Sequence, residues 1–169
     1  MKRFVPMALA LLIAAPVSLA AEEEHPAKRP PVPAFESLKL LVGDWQGTGD
    51  EHAATMKTSF HLTARGSVLV EDLVPMPEGA MTNVYHLDHD AVVMTHYCGA
   101  GNQPRMRGTM DGKDIKFVMT DISNWKKGEA RMTAVTITVV DADHMKQTWT
   151  SETEGRSETF TMEFVRKKS

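Results

Sequence analysis

Met81-Thr82-Asn83-Val84-Tyr85-His86-Leu87-Asp88-His89-Asp90-Ala91-Val92-Val93-Met94-Thr95-His96-Tyr97-Cys98 is the stretch whose reading decides the fold. Apolar and polar residues alternate on both sides of His89-Asp90, a pair suited to a tight turn. Folding the chain about that turn sets a register: Leu87 faces Val92, Tyr85 faces Met94, Asn83 faces His96 and Met81 faces Cys98. Thr82, His86, Asp88, Val93, Thr95 and Tyr97 fall on the opposite, more polar side. The stretch is a hairpin with an inner and an outer face.

The same period of two continues in both directions. Runs of β-formers near 44–49, 55–64, 67–74, 105–110, 115–122, 131–140, 145–152 and 157–166 join those at 81–88 and 91–98. Arg65-Gly66, Gly112-Lys113, Ala142-Asp143 and Gly155-Arg156 supply turns between them. A turn at Gly112-Lys113 aligns Met106, Gly108, Met110, Ile115, Phe117 and Met119, with Arg105, Arg107, Thr109, Lys116 and Thr120 outside. Phe160, Met162 and Phe164 share a side of the last run, while the pattern leaves open whether Trp149 and Gln147 face inward. One helix is predicted over 35–41, with Phe35, Leu38 and Leu41 on one side and Gly43 as its stop. The expected fold is all-β: a closed antiparallel barrel of about ten strands with a short N-terminal helix over one end. Closure is expected because it removes exposed strand edges. A barrel that wide predicts an internal cavity, and its methionines suit an apolar guest of irregular shape.

The ends of the chain speak to compartment. Residues 1–20 open with Lys2 and Arg3, run apolar from Met7 to Val17 and finish Ser18-Leu19-Ala20, the layout of a signal peptide. Residues 21–34 hold three glutamates and four prolines and read as a solvated tether, leaving 35–169 as one domain. Losing Lys2 and Arg3 leaves 17 of the 19 basic residues against 22 acidic ones, so the net charge moves from −3 to −5. That balance excludes a nucleic-acid binder. Cys98 is the only cysteine, which excludes an intramolecular disulfide, a four-cysteine zinc site and a lipid-anchored mature N-terminus. A periplasmic or secreted protein without a stable membrane anchor is expected, with a small-molecule ligand as its partner.

Leu41-Val42-Gly43-Asp44-Trp45, after a short helix and before a meander, resembles the Gly-x-Trp opening of the calycin superfamily, which includes lipocalins and fatty-acid-binding proteins. The resemblance implies that Trp45 closes the narrow end of a barrel against an arginine of the last strand, the place of Arg166. Tyr85-His86-Leu87-Asp88, Met94-Thr95-His96-Tyr97-Cys98 and Gly101-Asn102-Gln103-Pro104-Arg105-Met106 are together similar to an exported bacterial family of unknown function with a lipocalin-like barrel. That likeness implies a fold and no activity.

The candidate site is the polar, glycine-rich link between two strands, His96 to Arg105. At a barrel mouth, His96, Asn102 and Arg105, with Asn83 and Tyr85 beside them, could hold the polar head of a ligand whose body meets Met94, Met106 and Phe117. An anionic or carbonyl-bearing head is the expected match to that set. The function expected is binding or carriage of a small, mainly apolar molecule. Its alternatives are an enzyme using His96 as acid or base, a haem-binding barrel with His96 as axial ligand, and a solid barrel acting through its surface. No cofactor is expected, with haem as the one alternative. His86, Asp88, His89 and Asp90 crowd a single turn and read as solvated, so no metal site is expected. Cys98 lies two residues from His96, about 6–7 Å along a strand, beyond hydrogen-bond reach for activating its thiol.

Overall fold

The computed structural model describes residues 31–48, 56–74 and 79–168. The expected leader and most of the expected tether, residues 1–30, lie outside these. Ten strands follow one helix: α1 (Pro33–Lys39), β1 (Gly43–Thr48), β2 (Lys57–Thr63), β3 (Val68–Val74), β4 (Met81–Asp88) and β5 (Ala91–Tyr97), then β6 (Gln103–Asp111), β7 (Asp114–Ser123), β8 (Arg131–Val139), β9 (His144–Thr153) and β10 (Arg156–Arg166). Each strand pairs antiparallel with its neighbours in sequence, and β1 pairs with β10, so the sheet closes into a barrel. Closure pairs the first strand with the last, which removes the open edges a flat sheet would present.

Two ends follow from this topology. The 3-10 turn Ala64–Gly66, the turns after β4, β6 and β8, and the start of β1 gather at one end, where α1 packs on β5 and β6. The helix starts two residues earlier than its apolar spacing suggests, because Pro33 occupies its first turn, where a missing N–H costs nothing. Ala34, Phe35, Leu38 and Leu41 are buried there. The ends of β1 and β3 and the connections after β5, β7 and β9 lie at the other end, the mouth. Among the described residues no helix is long and apolar enough to cross a membrane.

The closed end is locked by Trp45 and Arg166. Trp45 is fully buried and its indole N–H donates to the Leu41 carbonyl at 2.8 Å. The Arg166 guanidinium lies 4.2 Å from the centre of that ring. Its three nitrogens donate to the carbonyls of Ala142, Val42 and Leu40, each at 2.7 Å. Gly43 must be glycine: its φ is +126°, and a Cβ there would come within 3.0 Å of the guanidinium.

Inside, the alternation selects the core. Leu69, Tyr85, Val92, Met94, Met106, Ile115, Phe117, Val135, Ile137, Met145, Trp149 and Phe164 are all buried. Gly108 is the counterpart of Phe117 across β6 and β7, and a Cβ would lie 2.6 Å from that ring. Leu87–Val92, Tyr85–Met94 and Asn83–His96 pair in the expected register, but the ladder stops at Thr82–Tyr97. Cys98 therefore leaves the strand, half-buried, and its N–H bonds the Asn102 carbonyl instead of a strand partner. Met110 and Phe160 keep inward parity yet are 41% and 37% exposed: Met110 lies near the end of β6, and Phe160 lies in the half of β10 that runs toward the mouth.

Two bulges break the period. On β7, Thr120 is the extra residue between Met119 and Asp121, and its hydroxyl donates to the Arg105 carbonyl at 3.2 Å. On β8, Thr133 is skipped between Met132 and Ala134. That extra residue shifts the parity, so Met132 joins Val135 and Ile137 on the inner side.

Candidate functional site

β3 carries a carboxylate into the barrel. Glu71 shares parity with Leu69 and Leu73 and is fully buried. Four neutral groups donate to it: Thr58 Oγ1 at 3.0 Å and Gln147 Nε2 at 2.5 Å to Oε1, Asn83 Nδ2 at 2.7 Å and Tyr85 Oη at 2.6 Å to Oε2. A carboxylate accepts about four such bonds, so the set saturates it. None of the four donors carries a positive charge. Desolvation pushes the Glu71 carboxyl above its ordinary range, while the four hydrogen bonds pull it back. Burial and the neighbouring carboxylate push the Tyr85 phenol well up, so it stays a donor.

The network reaches the mouth through Asn83. Its amide nitrogen is committed to Glu71, so its carbonyl oxygen accepts from His96 Nδ1 at 2.7 Å. This fixes the tautomer: Nδ1 carries the proton and Nε2 keeps a lone pair. Burial pushes the His96 imidazole down to about 4, so the ring is neutral at pH 7. Nε2 is buried and has no hydrogen-bond partner. Cys98 is therefore not bonded to it, as the strand spacing requires.

His96 lines a pocket of about 10 Å³ with Leu73, Met81, Met132, Trp149, Phe160 and Met162. That is room for about one water-sized guest. The Trp149 ring lies 5.0 Å from the His96 ring and its N–H donates to Gln147 Oε1 at 2.9 Å. The wide cavity expected for ten strands is here replaced by side chains meeting across the lumen: Gln147 on β9 bonds Glu71 on β3, and Trp149 on β9 faces His96 on β5. A pocket of about 10 Å³ does not fit a haem, although His96 presents the nitrogen that haem iron would require. A wider, open groove runs beside α1, lined by Phe35, Lys39, Arg65, His86 and Leu87, but no buried unpartnered polar atom lies in it.

Of the residues expected to form the site, the structure brings Asn83, His96 and Tyr85 into one network. Met94, Met106 and Phe117 lie deeper, with Phe117 packed 5.6 Å from the Tyr85 ring. Asn102 is buried at the mouth, but its amide donates to the Ala130 carbonyl at 2.8 Å and so clasps the β7–β8 loop. Asn124 Nδ2 ties the same two loops by donating to the Gly101 carbonyl at 2.6 Å. Arg105 is a correction: it lies on the outer face, 51% exposed, paired with Asp121. The bulge beside it inserts its extra residue into β7, not β6, so the outward parity of Arg105 survives. With Arg105 outside, and the Asn83 and Asn102 amide nitrogens engaged, the buried polar atoms without a partner are His96 Nε2, Asn102 Oδ1 and, at the start of β8, Arg131 Nε.

Glu71, Thr58 and Gln147 are missing from the sequence-based set. Parity alone places Glu71 between Leu69 and Leu73, and that was the usable signal. No protein-family model and no curated protein matches the chain.

Proposed function

We propose that this barrel is a binding protein whose recognition point is His96 at the mouth. The observation that carries the reading is a buried imidazole nitrogen with a fixed lone pair and no partner, in a pocket otherwise lined by apolar side chains. A buried acceptor left unsatisfied costs about 1–3 kcal/mol, which a guest bearing an O–H or N–H would recover. The guest is small and mainly apolar, an alcohol, phenol or amine head with a hydrocarbon body. A body larger than a single atom enters by displacing Met81, Met132 and Met162, whose unbranched thioethers adapt readily. Export to the periplasm or beyond, and kinship with the lipocalin-like family, belong to the same proposal and rest on residues 1–20 and the quoted segments.

Catalysis by His96 is the weaker reading, because its free nitrogen meets no acid, base or nucleophile among the described residues. One observation favours a different rival: the lumen is bridged by side chains, as in a solid barrel that acts through its surface. Native mass spectrometry of protein purified from its source cells separates the two. A co-purifying organic molecule that is lost in His96→Gln is the expected result. Repeated recovery of bare chain, with no uptake of hydroxylated apolar probes, would favour the solid barrel.

A further inference from the structure

The mouth pocket joins one imidazole to three thioethers. Met81, Met132 and Met162 line it with His96, and Trp149 covers one side. We propose that this pocket binds a single soft monovalent metal ion, copper(I), through His96 Nε2 and the thioether sulfurs of these methionines. The proposal shares the His96 recognition point with the preceding reading and goes beyond it, since an ion needs no opening of the lining.

Size is the first argument. A space of about 10 Å³ admits one ion and no organic body. Ligand type is the second. Thioether and imidazole are neutral, soft or borderline donors, which favour copper(I) over the hard cations that carboxylates hold. No group of three or more His, Cys, Asp or Glu suited to a metal occurs among the described residues, so the site would not compete for calcium or magnesium. Third, the imidazole is prepared. Asn83 Oδ1 accepts a hydrogen bond from Nδ1–H and leaves Nε2 as the coordinating atom, the kind of support that orients metal-binding histidines.

Charge supplies the fourth argument. Glu71 is buried among four neutral donors and has no cationic partner. Two hydrogen bonds, Glu71–Asn83 and Asn83–His96, connect it to the ring that would hold the ion. When the Glu71 carboxyl is ionised, a monovalent cation on Nε2 would be its countercharge. The Thr133 bulge fits the same picture, since it is what turns Met132 inward to the pocket.

The test is an anaerobic titration of the full chain with copper(I) buffered by bicinchoninate, alongside native mass spectrometry with silver(I). One equivalent of either ion should bind, with quenching of Trp149 fluorescence. His96→Gln should weaken binding at least tenfold. The volume-conserving double variant Met81→Leu/Met162→Leu should do the same while the fold stays intact by circular dichroism. Glu71→Gln should weaken it by a smaller factor, and Cys98→Ser should leave it unchanged. Failure of the parent chain to take either ion, retention of full affinity in both the His96 and the methionine variants, or loss of binding in Cys98→Ser would each overturn the proposal. A chain that ignores silver(I) but carries an organic guest overturns this inference and leaves the preceding one standing. One that takes silver(I) and never an organic guest supports the metal site and overturns the organic reading.

Discussion

Glu71 and His96 are two buried titratable groups that pull stability in opposite directions with pH. The His96 ring is held at about 4, below its ordinary value of 6.5. Between those values the unfolded chain binds a proton that the folded chain refuses, so stability rises with pH across that window. The difference corresponds to roughly 3 kcal/mol. Urea midpoints of the parent should therefore fall more steeply than those of His96→Gln as pH drops from 6.5 to 4. A parallel pair of curves would contradict the buried, neutral ring. Glu71 has its carboxyl pushed up from 4.5, so the folded chain keeps a proton that the unfolded chain has lost. Stability then falls as pH rises above 4.5, and the parent should lose ground to Glu71→Gln over that range. An advantage of the parent that grows with pH would show instead that the four donors outweigh desolvation. At this scale the sequence was half legible. Parity gives Glu71 an inward side chain, but the ordinary cost of burying a carboxylate argues against believing it. Only the saturating donors, one of them 76 residues away on Gln147, reverse that judgement.

Among the elements, the join of β1 to β10 depends most on a single side chain. Arg166 donates to three backbone carbonyls, one in the β8–β9 connection and two in the link from α1 to β1, while covering Trp45. A lysine ammonium cannot reproduce that planar fork. Arg166→Lys should cost about 1–3 kcal/mol in urea denaturation, from charge-assisted hydrogen bonds to three carbonyls that an ammonium cannot all replace. A loss below about 0.5 kcal/mol would mean that the closed end is held by apolar packing alone. The strands themselves were legible because tight turns at His89-Asp90 and Gly112-Lys113 fix the register locally. The helix start was read late because Pro33 looks like tether until it is recognised as a first-turn residue. Bulges were not legible. Thr120 and Thr133 are ordinary strand residues, and their extra place in the ladder exists only against a partner strand. Hence Met132, a mouth residue, could not be assigned to the interior from its own strand.

For the whole molecule the question is whether opposite walls of the barrel communicate. The barrel's width predicted a cavity; the side chains tie β3 to β9, β5 to β9 and β4 to β7 across the lumen. Such ties make the interior one cooperative unit, in which Gln147 is the central link: it donates to Glu71 and accepts from Trp149. Gln147→Leu removes a donor from a buried carboxylate and an acceptor from a buried indole, each at about 1–3 kcal/mol. Glu71→Gln replaces the acceptor at the other end of the tie. If the two act through one network, their combined cost departs from the sum of the single costs by about 0.5–3 kcal/mol, despite the distance between them in the chain. A double-mutant cycle by urea unfolding at pH 7, with single transitions for all four proteins, reads that coupling directly. Additivity within about 0.3 kcal/mol is the outcome expected of distant, independent sites, and it would mean that water, not the Gln147–Glu71 bond, fills the lumen in solution.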